Sequence, residues 1–448
     1  MAKRAVVIGA GPNGLAGALR LAEAGFDVTV HEEADTIGGG CRTKELTLPG
    51  YRHDVCAAIL PLARRSPAFA ALDVEWIDPP VPAAHPLEGD AVTLEHGLQE
   101  TADGLGADAQ NYRALVEPFV RAWPRRWTRW DLLRLRPGLV RGLLSARALA
   151  RLFETWRGRA FFAGHAAHSV LPLERAGSAG FGLTLCAAAH VDGWPFPRGG
   201  SQALVDALAA HLVELGGEIV TSSRVDELPH ADVVLCDLAP HEFRRIAQLP
   251  DYARRFANAP AAFKLDWALD GPIPWASEAC RRASTVHLGG SFAEIAASER
   301  AVWQQVAPAA RPFVILTQPT LFDSTRAPEG KHTAWAYCHV PTGWDGDATE
   351  SIEAQVARFA PGFRELILGR HVMRPRDFEA YNRNYLGGDI VGGANTLRQL
   401  AVRPAAGLLP WRTPVHGVYL CSASTPPGGG IHGLCGLAAA RVALRDVG

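Results

Sequence analysis

A glycine pattern near the start of the chain limits the fold more than any other feature. Gly9-Ala10-Gly11-Pro12-Asn13-Gly14 reads G-x-G-x-x-G. It comes after the apolar run Ala5-Val6-Val7-Ile8 and opens residues 13–24, where Leu15, Leu19 and Ala22 share one helical face. Gly25 is placed to stop that helix. Residues 26–30 read as a second strand, with Glu32 and Glu33 just beyond it. The strand–helix–strand setting gives each residue a physical task. Gly9 permits the tight turn, Gly11 admits backbone close to a diphosphate, and Gly14 lets helix and strand pack closely. The helix start offers N–H groups and partial positive charge to phosphate. Glu32 is placed to accept hydrogen bonds from a ribose diol.

The same grammar returns twice further along the chain. Ser201 and Gln202 open a helix to Leu215; Gly216-Gly217 break it before a strand at 218–220, and residues 231–236 form another strand. Near the end, residues 417–421 read as a strand, then a Gly/Pro-rich loop, then a closing helix over 434–446. Between these segments, residues 263–267, 313–316 and 333–337 alternate as strands of a different sheet, and 351–359 reads as a helix. The expected class is α/β: a Rossmann-type FAD-binding domain assembled from discontinuous segments, with an inserted α+β substrate domain. Residues 1–75, 190–245 and 375–448 are assigned to the first, and 76–189 and 246–374 to the second.

The cofactor assignment comes from the glycine-rich residues just after the acid. Gly38-Gly39-Gly40-Cys41-Arg42-Thr43 resembles the second glycine signature of FAD-dependent oxidoreductases, G-G-x-x-R-T. A guanidinium there is expected to reach the flavin diphosphate in a charge-assisted contact. The loop from Ser422 through Pro426-Pro427-Gly428-Gly429-Gly430-Ile431-His432-Gly433 ends at a helix start, so its backbone can approach a flat ring. With these, Gly193-Trp194-Pro195-Phe196-Pro197-Arg198-Gly199-Gly200 and Asn384-Tyr385-Leu386-Gly387-Gly388-Asp389-Ile390 resemble segments of the phytoene desaturase-related flavoprotein family, which includes retinol saturase and pyridine-nucleotide-disulfide-oxidoreductase-domain-like proteins. Arg311-Pro312-Phe313 and Arg412-Thr413-Pro414 extend the resemblance over nearly the whole chain.

That resemblance implies FAD contacts at Gly9, Gly11, Gly14, Glu32, Gly39 and Arg42. Pro12, Asn13, Glu33, Gly40 and Ser422 are counted with them. It places Val225 by the adenine, and Gly430, Ile431 and His432 by the isoalloxazine. Ser422 departs from the glycine usual there in desaturases. The implied activity is flavin-mediated hydride transfer on a hydrophobic unsaturated small molecule such as an isoprenoid. His432, Tyr385 and Asp389 are the candidate polar groups near the flavin. Their competing readings are a packed loop histidine for the first and tight-turn chemistry for the other two. An amine-oxidase-like flavoenzyme and a flavin-free lipid carrier of the GDP-dissociation-inhibitor type are the alternatives, the second opposed by the intact glycines and Arg42. A disulfide reductase would need a redox cysteine pair, and the eight cysteines form no C-x-x-C.

Charge narrows the partners. Lys plus Arg is 45 and Asp plus Glu is 46, which argues against a protein built to grip nucleic acid. No metal site is signalled. With no room for a signal peptide before Val6 and no apolar run long enough to span a bilayer, the expected location is the cytoplasm or a membrane surface. Residues 121–159 suggest the surface. They hold eleven Arg against Asp131 and Glu154, with Leu149, Leu152, Phe153 and Trp156 at helical spacing. An arginine-rich solvated face over a core is the competing reading.

Overall fold

The structure, a computed structural model, describes residues 2–123 and 139–448. Among the described residues, two sheets organise the chain. The first is five-stranded and parallel, in the order Val418–Leu420, Val233–Cys236, Arg4–Ile8, Asp27–His31, Glu218–Val220. Its strands come from three distant stretches of sequence and meet in the manner the repeated strand–helix grammar anticipates. They are apolar on both sides because both faces are covered. Val7, Val30 and Leu235 pack with Leu15, Leu19, Leu204 and Leu208. Ile8, Val234 and Leu420 pack with Phe243 and Ile246 on the other face.

The first helix spans Pro12–Ala22 and the closing helix Leu434–Val447. They touch backbone to backbone: a Cβ on Gly436 would lie 1.7 Å from the Asn13 carbonyl oxygen. The first helix stops two residues short of the expected end, because residues 23–25 already turn toward the next strand; Gly25 takes φ +84 there.

The second sheet has seven strands, ordered Ile367–Met373, Ala261–Leu269, His332–Val340, Val314–Thr317, Ala283–Leu288, Val81–Leu87, Asp90–Leu94. Its pairings are antiparallel except that Ala283–Leu288 runs parallel to Val81–Leu87. Some of the strands are longer than the periodicity marks; Ala261–Leu269 and His332–Val340 run nine residues each. One face packs an apolar core around Phe263, Leu265, Trp267, Leu316 and Val356. The other carries Lys264, Asp266, His287 and His339, all buried.

The arginine-rich stretch departs from a single amphipathic helix. Residues 124–138 of it lie outside the described residues. Beyond them, helices Ala146–Ala150 and Trp156–Ala167 are separate. Asp108 causes the break: its carboxylate accepts the Glu154 and Thr155 N–H groups at 2.5 and 3.1 Å. Leu149 and Phe153 are buried, whereas Leu152 and Trp156 are exposed, so the four do not share a face. No described helix is long and apolar enough to cross a membrane.

Candidate functional site

A cleft opens where the parallel strands end at their carboxyl ends, the usual ligand position in such sheets. Its floor is the first glycine loop. A Cβ on Gly14 would stand 2.0 Å from the Gly9 carbonyl oxygen, so only glycine lets the helix close on the strand. The second glycine segment lies against the first, since a Cβ on Gly39 would be 3.1 Å from the Gly11 Cα. No side chain caps the first helix at Gly11. Pro12 brings no N–H, and the Gly14 N–H goes to the Asp237 carboxylate at 3.0 Å, so an acidic group already sits at a helix start suited to an anion.

Glu32 is buried at one end of this floor. Its Oε2 accepts the Ala10 N–H at 2.8 Å, and its Oε1 accepts the Ala34 N–H at 3.0 Å. Arg42 bonds to the same Oε1 at 3.0 Å. A carboxylate oxygen takes about two hydrogen bonds, so Oε2 keeps a lone pair for a sugar hydroxyl. Arg42 differs from expectation. Its Nε and Nη2 are committed to the Thr36 carbonyl at 3.0 and 2.6 Å as well as to Glu32. The guanidinium also lies 5.3 Å over the Tyr381 ring. Glu32 and Tyr381, working against burial, raise its pKa further. Arg42 is thus a fixed positive wall of the cleft rather than a swinging phosphate clamp.

The cleft collects most of the residues singled out from the sequence. Gly9, Gly11, Pro12, Asn13, Glu32, Glu33, Gly39, Gly40, Arg42 and Val225 line it, as do Tyr385, Asp389, Ser422, Gly430 and Ile431. Gly14 sits behind the lining. Glu33 stands at the rim, paired with Arg224 at 3.3 Å and Arg383 at 3.0 Å. Ser422 donates its hydroxyl to the Leu238 carbonyl at 2.8 Å, which ties the last loop to the chain just after the strand Val233–Cys236.

The three polar candidates fare differently. His432 is turned away from the cleft lining. Its Nδ1 accepts the Leu434 N–H at 3.1 Å and so caps the closing helix, and its carbonyl accepts the Ser66 hydroxyl. Burial holds its imidazole down at about 4, hence neutral at physiological pH. Asp389 spends its carboxylate on backbone, accepting N–H groups of Ala259, Val391, Gly392 and Gly393 between 2.8 and 3.1 Å. Burial outweighs those bonds and lifts it to about 6. It clamps the 389–393 turn. Tyr385 alone keeps its hydroxyl near the second glycine segment, where a Cβ on Gly40 would come within 2.6 Å of it.

Asp237, Tyr381 and Asn384, which the sequence does not single out as site residues, complete the wall. Asp237 stands directly after the strand Val233–Cys236, so the rule placing ligands at strand carboxyl ends was the available signal. Tyr381 carries no pattern of its own, whereas Asn384 opens the 384–390 segment but is not singled out within it.

The donor set fits a flavin dinucleotide. A carboxylate acceptor for ribose, a glycine-flanked helix start for diphosphate, and a glycine loop for a flat ring stand in one cleft. Residues 7–73 match the model of the NAD(P)-binding Rossmann-like domain. The chain is 25% identical over 99% of its length to pyridine nucleotide-disulfide oxidoreductase domain-containing protein 2 of Rattus norvegicus, covering 93% of that relative. It is 28% identical to phytoene dehydrogenase of Streptomyces griseus, over 75% of this chain and 72% of the relative. An oxidoreductase from Methanosarcina mazei has a similar crystal structure, with TM-score 0.63 and 17% identity, covering 99% of this chain and all of that one. In sequence, over nearly its full length, the chain is similar to the phytoene desaturase-related flavoprotein oxidoreductases.

Proposed function

We propose that this chain binds FAD non-covalently and transfers hydride between the flavin and a hydrophobic unsaturated small molecule, of the isoprenoid kind, by desaturation, saturation or isomerisation. One observation supports the reading above others. Glu32, the glycine-rich start of the first helix and the Gly430–Ile431 loop come from separated stretches and line a single cleft. Bound FAD supplies a two-electron hydride acceptor. The chain's own residues do the positioning. Glu32 fixes the ribose, the helix start and the wall formed by Arg42 hold the diphosphate, and the Gly430–Ile431 backbone sets the ring. Tyr385 and Tyr381 both set a hydroxyl beside the second glycine segment. The division at residues 75, 190, 245 and 375 belongs to the same reading, as does a peripheral contact with anionic lipid through the exposed Leu152 and Trp156 beside Arg151.

Purified protein is expected to be yellow, or to take up FAD with the spectrum of an oxidised flavin. Anaerobic mixing with polyene and isoprenoid lipids is expected to bleach or restore that spectrum. A colourless protein that takes up no FAD points instead to the flavin-free carrier.

A further inference from the structure

The strand Val233–Cys236 runs straight into Asp237, whose carboxylate turns into the cleft. Its Oδ2 accepts the Gly14 N–H at 3.0 Å, and a Cβ on Gly11 would lie 2.7 Å from the same oxygen. A negative group therefore already stands on the helix mouth that a diphosphate would use. No described cation pairs with it, and Arg42 on the same cleft is committed to Glu32 and the Thr36 carbonyl. From the end of the second strand, Glu32 brings another negative charge, itself neutralised by Arg42 at 3.0 Å. The Cys236, Cys421 and Cys435 thiols around it stay protonated because burial pushes them up. Asn384 donates to the Asp237 carbonyl at 2.9 Å, not to its carboxylate. Arg245, at the rim, is taken by Asp226 and Glu242 at 2.9 and 3.0 Å. Among the described residues no Lys or Arg lies within ion-pair distance of Asp237.

We propose that Asp237 couples dinucleotide binding to proton uptake: the diphosphate enters the glycine loop with the Asp237 carboxyl neutral. The inference rests on the dinucleotide reading of the cleft. As an acid, Asp237 keeps the Gly14 bond through its carbonyl oxygen and turns an O–H donor toward a phosphate oxygen. As a carboxylate it would face two phosphate charges at a site that holds no countercharge for it. Burial, with Glu32 adding to it, already lifts the carboxyl to about 7, and a bound anion raises it further. Below that pH the group is protonated in both states and affinity is flat. Above it, each binding event takes one proton from solvent, and affinity falls by about tenfold per pH unit.

Protein stripped of flavin is titrated with FAD and with ADP-ribose between about pH 6 and pH 9, by flavin fluorescence or heat. Both ligands are expected to show the same slope above neutrality. Calorimetry in buffers of different ionisation enthalpy is expected to show one proton absorbed per ligand. Asp237→Asn, neutral at every pH and close in shape, is expected to bind both ligands without a slope. A flat wild-type profile, a slope with FAD but not ADP-ribose, or an unchanged slope in Asp237→Asn overturns the proposal. If wild-type protein takes up neither ligand at any pH, the dinucleotide reading falls, and this inference with it.

Discussion

The glycine cleft and the inner face of the seven-stranded sheet both bury charged groups, and they satisfy them differently. In the cleft, Glu32, Asp237 and Asp389 are answered chiefly by backbone N–H groups from nearby turns. On the sheet, Lys264 is fully buried, paired with Asp266 two residues along the same strand, and lies 5.2 Å over the Trp335 ring. Asp266 in turn meets His371 at 3.2 Å and His53 at 3.6 Å. Against the burial that would raise it, Lys264 and His371 keep Asp266 below the ordinary carboxylate range. Backbone donors stay in place when a ligand or a proton comes or goes, so the cleft tolerates a change of charge at its acids. A side-chain pair inside a sheet has no such substitute, and losing one member leaves a bare charge.

That contrast predicts unequal costs. Lys264→Met leaves Asp266 with no full positive charge and is expected to cost about 3–5 kcal/mol in urea unfolding. Replacing both members, Lys264→Met with Asp266→Leu, is expected to recover most of the loss, because a well-packed apolar pair can match a buried ion pair. A double variant as unstable as the single one would show that the network, not the uncompensated charge, sets the cost.

Counted per ring and per pH unit, the next effect concerns acid. Between the helix Trp156–Ala167 and the sheet lie His85, His165 and His287, all buried. His287 and His168 touch through their Nε2 atoms at 2.8 Å. His85 Nδ1, His165 Nε2 and His287 Nδ1 have no partner among the described residues. Burial holds His85 at about 4 and His165 at about 3, so these rings fold neutral. The unfolded chain binds their protons near pH 6.5, the folded one only well below. Stability therefore falls as pH drops from 6.5 toward 4, by ~1.4 kcal/mol per pH unit for each ring. Thermal melts over that range are expected to show the slope, and His287→Asn to reduce it by one ring's share. A variant with an undiminished slope would move the acid sensitivity elsewhere.

The cleft was legible in the sequence because its parts are short and contiguous. Close backbone approach can be met only by glycine, so Gly9, Gly11, Gly14 and Gly39 carry their function in their identity. The Lys264–Asp266–His53–His371 set was not legible. Lys264 and Asp266 share one strand, but His53 and His371 come from strands far from it in the chain, and nothing local marks a lysine as buried. His432 shows the opposite failure. A histidine inside a glycine loop suggests chemistry, but the loop turns the ring back to cap its own helix. Leu149 to Trp156 mislead for a related reason, since a tertiary bond from Asp108 breaks a period that local spacing supports.

The smallest expected effect tests the comparison inside the cleft itself. Glu32 and Glu33 are adjacent and carry the same charge, yet one is buried on backbone donors and the other shares two exposed arginines. Exposed pairs of that kind contribute roughly 0–1 kcal/mol. Glu33→Gln is thus expected to leave the melting temperature almost unchanged and to alter FAD affinity by less than about fivefold. Glu32→Gln replaces an acceptor oxygen by an NH2 group that must face either the Ala10 N–H or Arg42 and the Ala34 N–H. One buried donor is then left opposite another donor, at about 1–3 kcal/mol, or roughly a five- to 150-fold weaker FAD complex. Equal affinities in the two variants would mean that the ribose is held at the rim by Glu33 and its arginines, and that Glu32 serves the loop alone.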